Sequence, residues 1–154
     1  MASAPSANLH DEMRPRIGDG RMLEVFDYWN DKRGDKTMPA RTDIDLLDLP
    51  SQLPNLFLVD VETAPRRYRY RVVGSNLTDV LRENLAGRYV DEMPWLFRRY
   101  AEPAYQEVLD SVQPQYREIS IIRMLWRARY RRLMLPLGKS SGPIDMVLGC
   151  IYRF

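Results

Sequence analysis

The amino-acid sequence predicts an α+β fold, on three observations. A helical stripe of apolar residues runs through residues 19–33. Two short apolar-rich segments follow at 55–62 and 66–73, separated by a Pro-containing turn. After an intervening helical region, the last third of the chain, 115–154, reads as strand almost throughout.

Residues 1–17 are rich in Ala, Ser, Pro and mixed charge and read as a disordered tail, leaving 18–154 as one domain. Met22, Val25, Phe26 and Trp29 recur at spacings of three and four, the period of a helix that ends near Gly34. Leu46, Leu47, Leu49 and Leu53 predict a short helical segment, with Asp45 to cap it and Pro54 to stop it. Residues 19–53 are thus a helical cap ahead of a core at 55–154.

The core opens with strands 55–62 and 66–73, joined at Thr63-Ala64-Pro65. Gly74 ends the second, and Ser75 or Asn76 can cap a helix carrying Leu77, Val80 and Leu81. Pro94 opens a longer helix through Gln113, with Leu96, Phe97, Tyr100, Ala104, Val108 and Leu109 on one broad side. Pro103, inside it, predicts a kink or break. Strands 115–122 and 123–137 lead to a turn at Gly138–Gly142 and a final strand, 143–154. Ile144, Met146, Leu148, Cys150, Tyr152 and Phe154 share one face of that strand.

A chain of 154 residues buries roughly 70% of its unfolded surface, enough for one real core. Apolar and charged fractions of 45% and 29% are those of a soluble globular domain. The formal charge of +2 does not point to a nucleic-acid or membrane partner. Arg supplies 20 of the 23 basic residues, a bias that codon usage in a GC-rich genome would produce. The lone Cys150 rules out an internal disulfide framework and suits the cytoplasm. No secretory signal is visible, and no apolar run reaches the length of a membrane span.

Several short elements recur in a definite order: Tyr28-Trp29, Met38-Pro39, Arg41-x-Asp43-Ile44-Asp45, Leu53-Pro54-x-Leu56-Phe57, Tyr70-Arg71-x-x-Gly74, Gly87-Arg88-Tyr89 and Leu135-Pro136-Leu137. Taken together, over about residues 19–154, they resemble the small single-domain PAS-like family of alphaproteobacteria. The resemblance implies a PAS-like five-stranded antiparallel sheet flanked by helices, with an N-terminal helical extension and the terminal strand mid-sheet. It implies a bacterial sensory or regulatory module in signal transduction, and carries over no ligand and no catalytic set. N-terminal helices in such proteins often mediate dimers.

The cofactors of PAS relatives are constrained by this chain's residues. Flavin photosensing through a reactive Cys needs an Asn-Cys-Arg-Phe run after the second strand, whereas the only Cys is in the last strand. Haem ligation through His finds only His10, in the expected tail. Neither cofactor is expected, and His and Cys are too few for a metal site. The cofactor stays unnamed.

Two patterns are candidate chemistry. In the strand at 123–130, Met124, Trp126, Ala128 and Tyr130 oppose Arg123, Arg127, Arg129 and Arg131. The parity changes after Arg132, which predicts a bulge near Arg131-Arg132. Tyr68, Tyr70 and Val72 likewise oppose Arg67, Arg69 and Arg71. The aromatic face is either filled core or one wall of a ligand cavity lined by Tyr68, Tyr70, Trp126 and Tyr130. The arginine face is either solvated or paired, or it grips an anion. Nucleic acid is not expected, because 21 acidic residues are spread through the chain. The Arg98-Arg99 pair can bind an anion or sit on a solvated helix face. Met22, Val25, Phe26 and Trp29 either pack on the chain's own sheet or form a homodimer interface.

The reading is a cytoplasmic, non-catalytic sensory module that binds a small molecule, a protein partner, or both, and has no membrane partner. Its alternatives are an interaction scaffold with a filled core, and an enzyme on a related cone-shaped α+β fold using Asp43, Asp45 or Glu118.

Overall fold

The computed structural model describes residues 9–81 and 83–154. Two helices, α1 (Leu9–Ile17) and α2 (Gly20–Arg33), precede three single 3-10 turns and the strands β1 (Leu56–Thr63) and β2 (Arg66–Val73). Helices α3 (Ser75–Leu81) and α4 (Trp95–Ser111) come next, then β3 (Gln115–Arg123), β4 (Trp126–Gly138) and β5 (Ile144–Arg153). The strands form one antiparallel sheet in the order β2-β1-β5-β4-β3, with the last strand in the middle.

The tail expectation fails over 9–17; residues 1–8 lie outside the described residues. Leu9, Met13 and Ile17 repeat every four positions, so all three fall on one face of α1 and are buried. From the same helix His10 and Arg14 reach Asp27 of α2 at 2.8 and 2.5 Å, and the His10 ring stacks on Phe26. Polar composition hid a helix whose three apolar residues are enough to dock it.

Asp19 caps α2 by accepting from the Arg21 N–H at 2.9 Å, and Gly34, at φ +56°, ends it. Met22, Val25, Phe26 and Trp29 are each 0% exposed, packed inside the same chain. The Trp29 indole N–H donates to the Pro136 carbonyl of β4 at 2.9 Å. These four residues therefore do not form a dimer interface: the sheet of their own chain already covers them.

The segment expected to be helical at 46–53 is two separate 3-10 turns, Leu46–Asp48 and Leu53–Asn55. Asp45 does cap the first, accepting from Leu47 N–H. Gly74 takes the cap position of α3 in place of Ser75 or Asn76, its carbonyl accepting from the Leu77 N–H. A Cβ at Gly74 would sit 2.3 Å from the Pro54 carbonyl oxygen, so the close approach demands glycine. Leu77 is buried; the side chains of Val80 and Leu81 lie outside those described. Helix α4 runs unbroken through Pro103.

No bulge interrupts Arg131-Arg132: both ladders of β4 keep constant register through them. The apparent change of parity has another cause. Leu133, Leu135 and Leu137 face α2 and Met134 and Pro136 face α4, so beyond Arg132 the strand is covered on both sides. The expected strand at 123–137 is also divided, because Met124 and Leu125 are a two-residue hairpin loop between Arg123 and Trp126.

Several of the short elements that carry the resemblance meet in space. Pro136 accepts the Trp29 hydrogen bond, and Pro39 accepts one from the Gly138 N–H at 3.0 Å while Met38 is buried against Gly138. The 87–89 segment runs along the free edge of β2, with hydrogen bonds from Gly87 N–H to Tyr70 and from Tyr70 N–H to Arg88.

Candidate functional site

Helix α4 lays Ala101, Ala104, Tyr105 and Val108 on the sheet. Its other face carries Trp95, Arg98, Arg99, Glu102 and Gln106 along the rim of a groove shared with β2. The opposite wall is the start of β2, with Arg66, Arg67 and Tyr68, and Asp91 closes one end. The groove is open to solvent and has a volume of about 870 Å3.

Four guanidinium groups meet two carboxylates here. Arg67 grips Asp91 through two hydrogen bonds of 2.6 and 2.8 Å and lies 3.6 Å over the Tyr89 ring. The Arg67 guanidinium in turn holds the Asp91 carboxyl below the usual carboxylate range. Arg98 pairs with Glu102 one helical turn away at 3.0 Å. Arg66 donates to the Gln106 side-chain oxygen at 3.2 Å. Arg99 lies 6.0 Å from the centre of the Trp95 ring and has no carboxylate partner among the described residues. Trp95 itself is 69% exposed.

A smaller groove of about 390 Å3 lies on the other flank of α4, against β3 and β4. Arg132, half-buried, stands in it beside Arg99 and Arg117. Burial lowers the Arg132 pKa, opposed by Tyr105 and Glu107. Arg117 is ion-paired with Glu107, whereas Arg132 has no hydrogen-bond or ion-pair partner among the described residues. Arg99 and Pro103 border both grooves.

The four residues expected on one cavity wall are not brought together. Tyr68 and Tyr70 are buried under α4, where Tyr68 packs 5.0 Å from Tyr105 ring to ring. The Tyr70 and Tyr105 hydroxyls hydrogen-bond at 2.9 Å, and burial pushes the Tyr70 phenol up to about 12. Tyr130 is buried three strands away, paired with Ile119 of the edge strand, and its hydroxyl has no partner among the described residues. Trp126 sits at the hairpin end of β4, 44% exposed, and lines neither groove. Aromatic alternation placed Tyr68, Tyr70 and Tyr130 inward correctly, but strand order separates them.

The carboxylates of the enzyme alternative are also apart. Asp43 accepts from Lys36 and the Ala40 N–H, Asp45 caps Leu47, and Glu118 lies 3.7 Å from Arg131. Among the described residues no three His, Cys, Asp or Glu side chains cluster closely enough to hold a metal ion. Cys150 lies on β5 facing α2, with its thiol pushed well up by burial. The residues that reasoning from sequence passed over are Arg66, Trp95, Gln106 and Arg132. Their one legible signal was basic pairs, Arg66-Arg67 and Arg98-Arg99, at the starts of a strand and a helix.

Comparison with known proteins agrees with this architecture. No curated protein sequence matches the chain. The PAS domain of BvgS from Bordetella pertussis superposes with a TM-score of 0.52 at 16% identity, covering 66% of this chain and 77% of that one. A light-oxygen-voltage domain studied with a flavin analogue gives 0.51 at 12%, covering 71% of this chain and 83% of that one. At such identities the likeness is one of fold. The PAS domain family model matches residues 20–152, from the start of α2 into the end of β5, and the chain belongs to the PAS domain family.

Proposed function

We propose that this PAS domain is a non-catalytic, cytoplasmic sensory module that receives a small anionic ligand in the groove between β2 and α4. The observation that carries the reading is the charge of that groove: four arginines against two carboxylates, beside an exposed tryptophan. Planar guanidinium groups suit carboxylate or phosphate, and Trp95 offers a face for any flat part of the ligand. An anion would compete with Asp91 for Arg67 and so loosen the 3-10 turn Val90–Glu92 that Arg67 holds to the sheet. Signalling requires that the ligand bind the loosened and the held arrangement with different affinity, so that a protein partner meets a changed surface.

Native mass spectrometry of freshly purified protein, repeated after denaturation, is the first test. A mass surplus lost on denaturation supports the reading. Titration with pyrophosphate and with citrate as probe anions should raise Tm, and the rise should vanish in Arg66→Glu/Arg99→Glu. A bare polypeptide mass together with no anion-dependent rise in Tm would reject it.

A second reading is favoured by the packed interior. The Phe57 ring occupies the space a Cβ at Gly149 would need, and Tyr70 and Tyr105 satisfy each other. In that reading the domain is an interaction scaffold and the same groove takes an acidic segment of a protein partner. Homodimerisation belongs to either reading, through a surface other than the apolar stripe of α2.

A further inference from the structure

The β3–β4 ribbon outruns the sheet. Residues 126–128 of β4 pair only with β3; the Arg129 carbonyl already accepts from the Phe154 N–H, and the ladder to β5 begins at Tyr130 and Arg153. At the end of this two-stranded projection Met124 and Leu125 are 95% and 105% exposed, with Ile122 at 57% and Trp126 at 44% just behind. The structure leaves four large apolar side chains together in solvent at one protruding tip. Surface hydrophobes scattered singly need no explanation, whereas a contiguous group marks a docking site.

We propose that this tip inserts into the interfacial layer of an anionic lipid surface. The proposal is independent of the anion groove. Two observations point to a lipid surface. First, each face of the tip carries a large apolar side chain. Ile122 pairs across the ribbon with Arg127, and Trp126 with Arg123, so alternation puts Ile122 and Trp126 on opposite faces, with Met124 and Leu125 capping the end. A protein groove covers one face of a ribbon; a bilayer surrounds it. Second, the charge behind the tip has a single sign. Residues 119–128 contain Arg123 and Arg127 and no Asp or Glu, whereas Arg129 further back lies 3.8 Å from Glu118. Behind Met124 and Leu125 come Trp126 opposite Arg123 and then Ile122 opposite Arg127, so an apolar end is flanked by a tryptophan and by basic residues that suit an anionic headgroup layer.

The reach also fits. Arg127 lies two positions beyond Leu125, about 7 Å at the rise of a β-strand, comparable to the depth at which interfacial elements sit. Apolar insertion and basic attraction together supply the two signals that stable peripheral binding needs. A whole-chain charge of +2 conceals this local concentration.

Co-sedimentation of the full chain with phosphatidylcholine–phosphatidylglycerol vesicles, against phosphatidylcholine alone, tests the proposal. Binding is expected only with the anionic lipid and should weaken as salt rises. Met124→Asp/Leu125→Asp should abolish it, and Arg127→Glu should weaken it about tenfold. Both variants change solvent-exposed side chains, and far-UV circular dichroism with the urea midpoint verifies folding. Should the double variant misfold, Arg127→Glu and the salt series decide. The proposal falls if the native chain ignores anionic vesicles, or if the folded double variant binds as well as the native chain. It also falls if the double variant instead splits a native oligomer on size exclusion, since the tip is then a protein contact.

Discussion

The α2 side of the sheet and the α4 side are both covered by amphipathic helices, yet both grooves described above flank α4. Under α2, β4 presents Leu133, Leu135 and Leu137, and the polar groups at its rim pair among themselves. Asp19 holds Arg21 and Arg131, Arg21 lies over Tyr152, and the Tyr152 hydroxyl donates to Gln52. Under α4 the same strand presents Arg132, Met134 and Pro136, the helix offers Ala101 and Ala104, and long basic side chains stand along both flanks. Helical amphipathicity is the same device on both sides. The smaller groove lies where Arg132 stands on the sheet, and the larger where Arg66 and Arg67 open β2.

If the α2 side is a true core, Trp29→Ala should be the most damaging of three substitutions. It removes a fully buried indole and its hydrogen bond to Pro136, and should cost about 3–5 kcal/mol in urea denaturation. The oligomeric mass of the folded fraction should not change; a dimer weakened by Trp29→Ala would return α2 to the role of interface.

Next is Asp19→Asn. The Arg21 guanidinium holds the Asp19 carboxyl at about 2, below its ordinary 3.8. A carboxyl depressed in the folded state stabilises it above the ordinary value and loses that contribution as the pH falls through the folded one. Asp19→Asn should therefore cost about 2 kcal/mol at neutral pH. Its gap to the native chain should close as the pH falls from 3.8 towards about 2, as urea midpoints across that range will show. A gap that is constant with pH would mean that the cap and not the charge matters.

The smallest effect is expected on the α4 side. Tyr70→Phe leaves the Tyr105 hydroxyl buried without its partner, at a cost of about 1 kcal/mol. A loss as large as that for Trp29→Ala would show that the tyrosine cluster, and not the α2 side, anchors the sheet.

Much of this architecture was legible in the residues. An apolar-rich run located β1, alternation located β2 and β5, the three-four spacing located α2, and paired tyrosines and arginines in β2 gave the inward and outward faces. What a periodic pattern does not contain is the identity of the surface that covers it, so the stripe of α2 fitted a partner as well as its own sheet. Nor did the β3–β4 hairpin carry a turn signature. Met124, at φ +52°, sits where Gly or Asn is usual, so the ribbon read as continuous strand. The groove was hidden for a different reason: Arg66 and Arg99 are 33 positions apart in the chain and face each other only once β2 and α4 are packed.

The middle position of β5 has a consequence for how the chain is made. The ribosome delivers the β1–β2 hairpin first and the β3–β4 hairpin later, yet neither touches the other along the sheet until β5 enters between them. During synthesis, then, the nascent chain holds two half-sheets whose inner edges are both unpaired, the condition in which strands join the wrong neighbour. The bonds that make one domain of the two are formed at the close of translation of this segment, in contacts that span most of its length.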